Sequence, residues 1–247
     1  VGAGAAGTCA AIEAAESGLR VTVLEAFDEH GGAAAWSGGG TFHVGTPAQR
    51  RQGIDDNVEL AFGDWMRCGG EEADAAWALR YIARSRGLYD WLDSRGVEWE
   101  QVDHQGNGNS VARWHRPAGA GERLMRTLLE SSAGSSIEWR YGAEVTRLLT
   151  RDDEVIGVEA GSATVHANAV VMATGGFMND AELLGRYGPA VGPGSRLLRG
   201  GAHQALGRGH RLLDAVGALF VGLERTWVYP TGIVDHREQD DRGIVVT

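Results

Sequence analysis

Lysine is missing from this chain. All 23 basic residues are arginine, set against 33 acidic residues for a net charge of −10 over 247 residues. Arginine in place of lysine is what codon bias in a GC-rich genome produces. The charges are scattered rather than blocked, which argues against a nucleic-acid surface. There are two cysteines, Cys9 and Cys68, with no C-x-x-C, so neither a redox dithiol nor a zinc site is indicated. Cys9 falls within a predicted helix and is expected to be a small buried residue. No apolar run approaches the ~20 residues of a membrane helix. No metal site is expected either: His43, His104, His115, His203, His210 and His236 show no ligand spacing, and an isolated histidine is usually solvated or hydrogen-bonded. Neither a Ser-His-Asp order nor a G-x-S-x-G elbow supports hydrolysis.

What the chain has in quantity is glycine, 38 residues, clustered at 31–40, 106–108, 119–121, 175–176 and 192–209. Such clusters mark sharp turns or close approach of backbone to a ligand. Helices are expected at 8–17 (ended by Gly18), 55–69, 71–95, 120–133 and 203–217. Trp65, Trp77 and Trp91 fall on helical faces and are expected in the core, along with Leu60, Leu79, Ile82, Leu88 and Leu92. Residues 20–24 read as a strand. Residues 139–141, 144–150, 155–160 and 164–166 read as an antiparallel meander. The unbroken apolar run at 169–173 reads as a buried parallel strand, and 218–221 is strand-like. The order implies an α/β fold, doubly wound and Rossmann-like, with an inserted antiparallel β-meander.

Gly2-Ala3-Gly4-Ala5-Ala6-Gly7 carries G-x-G-x-x-G between strand-like Val1 and a helix. In this motif the first glycine makes the turn, the second lets backbone approach a diphosphate, and the third lets helix and strand pack closely. The helix N-terminus turns unpaired N–H groups toward the phosphates. Glu25 ends the next strand about 20 residues on, where a ribose-binding acid belongs. A carboxylate there disfavours a 2′-phosphate, so NADP is disfavoured while FAD and NAD both remain.

Later motifs bear on that choice. Gly31-Gly32 followed by Ser37-Gly38-Gly39-Gly40 resembles the flavin-side loop of the fumarate reductase and succinate dehydrogenase flavoprotein superfamily, which includes 3-ketosteroid dehydrogenases and urocanate reductases. His115-Arg116-Pro117 with Gly119-Ala120-Gly121 is similar to its H-R-P…G-x-G segment. Ala173-Thr174-Gly175-Gly176-Phe177 is similar to A-T-G-G-F, Gly207-Arg208-Gly209 to G-D-G, and Tyr229-Pro230-Thr231 to H-P-T. The resemblance spans nearly the whole chain. It implies FAD held by the glycine turn (Gly2, Gly4, Ala5, Ala6, Gly7), by Glu25 and Ala26, and by Gly31, Gly32 and Ala33. It further implies contacts from Ser37, Gly38, Gly39, Gly40, Val145, Ala173, Thr174, Gly175 and Gly209. His115, Tyr229 and Thr231 would face the substrate, and Tyr229 is the candidate catalytic group in this chain.

Departures from the family pattern sharpen the expectations. Some members attach FAD through a histidine where this chain has Gly32, so non-covalent FAD is expected. Arg208 replaces the family's Asp; either a neighbouring group contacts the ribityl chain or Arg208 points to solvent. Tyr229 replaces a carboxylate-binding histidine, which favours a larger, apolar substrate over a dicarboxylate. The implied activity is hydride transfer between flavin N5 and a C–C bond beside a carbonyl or carboxylate. The implied partners are an enoate or enone and an electron-transfer partner. Residues 1–225 would be the FAD-binding domain, and 226–247 the start of a capping domain. The first strand would begin ahead of Val1, and the main proton donor would lie beyond Thr247, leaving this chain inactive alone. A cytoplasmic location is favoured. A flavin monooxygenase or a disulfide reductase competes with this reading. The reductase lacks its cysteine pair here, and Gly192-Pro193-Gly194 makes no second nucleotide motif for either enzyme. A non-catalytic flavin-binding subunit is the other competitor.

Overall fold

A computed structural model of the chain describes residues 1–105, 108–190, 197–199 and 202–225, and the backbone of two short strands at 233–234 and 243–244. In chain order the elements are α1 (Ala5–Glu16), β1 (Val21–Leu24), α2 (Gly32–Trp36), β2 (Thr41–Phe42), α3 (Pro47–Arg51), α4 (Val58–Gly69), α5 (Ala75–Ser94) and β3 (Trp99–Asp103). They continue with β4 (Trp114–Pro117), α6 (Ala120–Ser131), β5 (Ile137–Arg140), β6 (Val145–Arg151), β7 (Glu154–Ala160), β8 (Ala163–His166), α7 (Ala181–Tyr187), α8 (Arg208–Asp214), β9 (Ile233–Val234) and β10 (Gly243–Ile244). They fall into two compact units: Val1–Ala33 with Ser135–Thr247, and Ala34–Gly134. The sequence did not mark this division. The boundary expected at 225 falls where the described side chains end.

In the first unit, α1 starts three residues earlier than expected because Gly4, extended at ψ −175°, is its N-cap. It ends where Gly18 takes φ +83° and donates to Ala15 O at 2.9 Å. Ala3, Ala11 and Val23 pack with Val21, Ile137 and Trp139, so α1 lies on β1 and β5. Here the structure corrects an expectation. The 139–141 segment belongs to β5, which runs parallel to β1, while the antiparallel sheet is β6-β7-β8 alone. Leu24, Val145, Leu148, Val158 and Ala160 form a second core, joined by Val1, Val170, Met172 and Leu212.

The run at 169–173 is not a buried strand. Val171 is 58% exposed, and Val171 and Ala173 bond to Val1: Val1 N donates to Val171 O at 2.7 Å and Ala173 N to Val1 O at 2.8 Å. Gly2 N in turn donates to Leu24 O at 2.8 Å. Val1 and Gly2 therefore lie between β1 and the 171–173 segment. Helix α8 is half the expected 203–217 span, because Gly207 adopts a left-handed φ of +65° as its N-cap. Residues 218–221 form no strand; Leu219 and Val221 are 89% and 82% exposed.

The second unit pairs the antiparallel sheet β2-β4-β3 with α3 to α6. Three of its helices, α3, α4 and α5, start at side-chain caps: Thr46 with Gln49 in a capping box before Pro47, Asn57 on Leu60 N, and Asp74 on Trp77 N. Ile82 and Leu92 are buried as expected. Leu60, Leu79, Leu88 and Trp65 lie toward solvent, and Trp77 is 67% exposed, so the helical stripe was read too wide. Trp91 is half-buried beneath the Arg95 guanidinium, 3.6 Å from its ring centroid. Cys9 in the first unit is also only half-buried.

A charged cluster holds this unit together. Arg113 is fully buried and binds Asp56 at 2.8 Å and Asp64 at 2.6 Å, both also buried. Burial would raise the Asp64 carboxyl, but the hydroxyl and N–H of Ser110, with Arg113 and Arg67, outweigh that and hold it below the usual carboxylate range.

Candidate functional site

The first unit carries a cleft with about 760 Å³ of empty space including its open mouth. Its walls are the glycine turn, the end of β1, the start of β6, the segment after 171–173, and the start of α8. The three glycines of the turn divide the work. Gly2 has φ +99°, and a Cβ there would meet Ala173 O at 2.4 Å. A Cβ on Gly7 would lie 1.9 Å from Gly2 O, so Gly7 is a packing residue between helix and turn and lies outside the cleft lining. A Cβ on Gly4 would meet only Gly31 O, at an ordinary 3.8 Å. Packing within the protein therefore leaves room for a side chain at position 4, on the wall of the cleft.

Glu25 is 9% exposed. Ala3 N–H donates to its Oε2 at 2.7 Å and Phe27 N–H to its Oε1 at 3.0 Å. The carboxylate thus ties the glycine turn to the end of β1, and its remaining lone pairs can accept ribose hydroxyls. His30, a residue the sequence reading passed over, supports the same turn. Its Nε2 lies 3.2 Å from Thr8 Oγ1 and its Nδ1 3.2 Å from the Tyr141 hydroxyl, with the ring edge-on to Trp139. Burial lowers the His30 pKa, and nearby Glu25 opposes the shift.

Of the expected cofactor residues, Gly2, Gly4, Glu25, Ala26, Gly32, Ala33, Val145, Ala173, Thr174 and Gly175 line the cleft. Ala5, Ala6, Gly7, Gly31 and Gly209 do not. Gly209 packs instead: a Cβ there would lie 1.7 Å from Thr174 Oγ1. The structure adds Phe27, Glu144, Gly176, Gln204 and Arg208, among others. Of the two alternatives for this position, a ribityl contact by a neighbouring group is untested; Arg208 itself is partly exposed, with its Nε 3.2 Å from Glu144 Oε1 in the cleft wall. Ser37, Gly38, Gly39 and Gly40 belong to the second unit, where Gly121 N donates to Ser37 O at 3.0 Å. There a Cβ on Gly39 would strike Gly121 N, and one on Gly40 the Trp114 indole, so packing within that unit already requires both glycines.

His115 corrects an expectation. It is fully buried, with Nδ1 2.9 Å from Arg113 O and Nε2 2.7 Å from Thr46 Oγ1. Both ring nitrogens are satisfied inside the protein, so the side chain has no surface to offer a substrate. Burial holds its pKa down, with the Arg113 carbonyl opposing the shift. Tyr229 and Thr231 lie outside the described residues.

A parallel strand pair, a glycine turn opening a helix, and an acid at the end of β1 define a dinucleotide-binding α/β protein. The sequence profile of the FAD-binding domain family matches residues 1–246. The chain belongs to that family, within the fumarate reductase and succinate dehydrogenase flavoprotein superfamily, whose cofactor is FAD. A KsdD-like steroid dehydrogenase of Mycobacterium tuberculosis is 31% identical over 96% of this chain and 49% of its own length. A probable fumarate reductase of Shewanella frigidimarina is 28% identical over 96% of this chain and 41% of its own. Among solved structures, an open flavocytochrome c3 fumarate reductase superposes with a TM-score of 0.80 at 28% identity, covering 88% of this chain and 40% of that one. A 3-ketosteroid-Δ4-(5α)-dehydrogenase of Rhodococcus jostii gives 0.77 at 27% identity, covering 88% and 53%. The chain therefore spans about half the length of the curated relatives it matches.

The residues present fit FAD. Among described atoms, nothing lies within 4 Å of a Cβ built on Gly175 or Gly176, so bare backbone faces the cleft there. Gln204 lines the same cleft with a buried amide oxygen that has no hydrogen-bond partner among the described residues. FAD offers hydroxyl and ring N–H donors for such an acceptor. No helix among the described residues is long and apolar enough to cross a membrane.

Proposed function

We propose that this chain is the FAD-holding part of an oxidoreductase that exchanges a hydride with a C–C bond beside a carbonyl or carboxylate. The observation that carries the reading is the cleft itself: Gly4, Glu25 and Gly175 bare and polar along one wall system, in a chain matched end to end by an FAD-binding family. When bound, FAD supplies hydride exchange at its flavin ring. The chain's own groups do the rest. Gly2 and Gly4 admit the diphosphate to the N-terminus of α1, whose free N–H groups and positive dipole end favour it. Glu25 accepts from the ribose, and Gln204 offers its unpartnered amide oxygen to a cofactor donor. Leu24, Val145 and Leu212 keep water from the cleft floor.

The Rossmann-like, doubly wound organisation belongs to this reading. It is supported by the parallel β1–β5 pair and by Val1 and Gly2 bonding to Leu24 on one side and Ala173 on the other. So does the division into an FAD-binding part through 225 and the start of a cap at 226–247. The relatives are named for fumarate and steroid substrates, and the Rhodococcus enzyme was solved with 4-androstene-3,17-dione. We extend to this chain an activated alkene or its saturated partner, with Tyr229 in place of histidine favouring an apolar enone. An electron-transfer partner would reoxidise or reduce the flavin.

Attachment is non-covalent on this reading, because Gly32 offers no side chain to bond the cofactor. Titration with FAD should give one bound flavin per chain and a raised melting temperature. Acid precipitation should then leave the flavin in the supernatant. Flavin that precipitates with the protein overturns non-covalent attachment. Failure to bind FAD at all overturns the functional reading. Photoreduced, FAD-loaded full-length protein that is reoxidised by an enone or enoate supports the substrate class; indifference to every activated alkene favours a non-catalytic flavin subunit.

A further inference from the structure

Arg208 is the first residue of α8, and two neighbours fix that position. Gly207 caps the helix in a left-handed conformation, and Gly209 is pressed so closely on Thr174 that a Cβ would overlap its hydroxyl. The backbone at 208 is therefore held against one wall of the cleft, and the side chain can reach only a limited volume. Within that volume Arg208 has two partners. Glu144 Oε1 lies 3.2 Å from its Nε, and its guanidinium carbon lies 5.4 Å from the centroid of the Phe27 ring. All three residues line the cleft.

This group sits at an identifiable end of the cleft. Phe27 donates its N–H to Glu25, and Ala143, next to Glu144, donates to Glu25 O at 2.7 Å. The Arg208 group is thus beside the acid assigned to the ribose, at the adenosine half rather than the flavin half. Among the polar lining residues Glu25, Glu144, Thr174, Gln204 and Arg208, the arginine brings a specific chemistry. The planar guanidinium stacks on aromatic faces and donates through a rigid fork of N–H groups. Glu144 engages Nε, which leaves the terminal nitrogens for a phosphate or ribose oxygen. The side chain keeps 40% of its surface exposed.

We propose that Arg208, tethered by Glu144 and backed by Phe27, is a specificity-determining residue that closes the adenosine end of the cleft over a purine. This inference rests on the FAD reading above and deepens it. It makes the chain select a flavin that carries an adenosine half, FAD over FMN, through a contact far from the reacting ring.

The test compares dissociation constants of FAD, ADP and FMN for the full chain and its variants, by flavin fluorescence and calorimetry. Arg208→Ala should weaken FAD and ADP roughly tenfold and leave FMN unchanged, since FMN has no adenosine. Arg208→Lys, which keeps the charge but loses the plane, should lie nearer to Ala than to Arg for ADP. Glu144→Gln, at a half-exposed position, should fold normally and weaken ADP by a few-fold through loss of the tether. Melting temperatures of the ligand-free variants should match that of the parent. Equal FAD and ADP affinity in the parent and Arg208→Ala overturns the proposal, as does an equal loss for FMN. A parent chain that binds neither FAD nor ADP overturns the underlying FAD reading instead.

Discussion

Gly4 and Gly7 are three residues apart in one motif, yet they should fail in different ways when each gains a methyl group. At Gly7 the added Cβ would lie 1.9 Å from Gly2 O. An ordinary carbon–oxygen contact is near 3.4 Å, so α1 would have to draw back from the turn by roughly 1.5 Å. Overpacking of this kind costs about 1–3 kcal/mol. For a chain of this size that lowers Tm by roughly 2–12 °C. FAD affinity should fall as well, because Gly2 is part of the cleft wall. At Gly4 the nearest atom is 3.8 Å away and φ is −76°, a conformation open to alanine. Alanine is a poorer N-cap than glycine, but it also restricts the unfolded chain by about 0.4–1 kcal/mol. The two terms nearly cancel, so Gly4→Ala should stay within about 1 kcal/mol of the parent, a shift of no more than about 4 °C. Its methyl group projects where the diphosphate must approach, so FAD affinity should drop at least about tenfold, ~1.4 kcal/mol. Thermal melts without ligand and fluorescence titration with FAD separate the two cases. Gly4→Ala with parental FAD affinity would falsify the assignment of Gly4 to the diphosphate. Gly4→Ala as unstable as Gly7→Ala would refute the packing argument.

Three further outcomes are expected. Burial holds the His43 pKa down to about 4, while the bond to Ser85 O opposes the shift. The unfolded chain therefore takes that proton first. Stability should be full above about pH 6.5 and should decline by on the order of 3 kcal/mol as pH falls toward 4. Urea midpoints across that window, flattened in His43→Gln, are the check; a parent curve flat from pH 7 to 4 contradicts it. Arg113→Met would leave Asp56 buried without its arginine and Asp64 with Arg67 alone, and should cost about 3–5 kcal/mol by chemical denaturation. A loss under about 1 kcal/mol would show that the cluster contributes little. Glu25→Ala removes the acceptor for the Ala3 and Phe27 N–H groups, so it should weaken FAD more than tenfold and also lower Tm. A variant that loses FAD affinity with unchanged Tm would assign Glu25 to the ligand alone.

Much of this protein is legible in its sequence because the signals are local. The G-x-G-x-x-G turn, the acid ending β1, and the A-T-G-G turn are read from spacing, and Gly2, Gly4, Glu25, Thr174 and Gly175 do meet in one cleft. Helices α3, α4 and α5 begin at capping side chains, Thr46, Asn57 and Asp74, that any reader of side chains can find. Two kinds of feature escaped. Strand partners depend on residues far apart in the chain. The apolar run at 169–173 looks like a buried strand, but its neighbour is the two-residue segment Val1–Gly2, and the tryptophan-bearing segment expected in the meander pairs in parallel with β1 instead. Side-chain environment is equally non-local. His115 has the pattern of a substrate ligand, and only the folded chain shows both its nitrogens spent on Thr46 and Arg113.

The sequence by itself determined that a glycine turn opens a helix and that an acid ends the next strand, because those features are set by residue type at fixed spacing. Tertiary structure alone decided what each glycine is for. Gly7 and Gly209 are glycine because another part of the protein occupies the space of a side chain, whereas at Gly4 that space is open and, on the function proposed above, belongs to the cofactor. The motif cannot separate these reasons, since all three positions demand the same thing: the absence of a Cβ. Arg208 is the reverse case. Its neighbours in sequence say nothing of Glu144 or Phe27, and only the folded chain brings the three together beside Glu25.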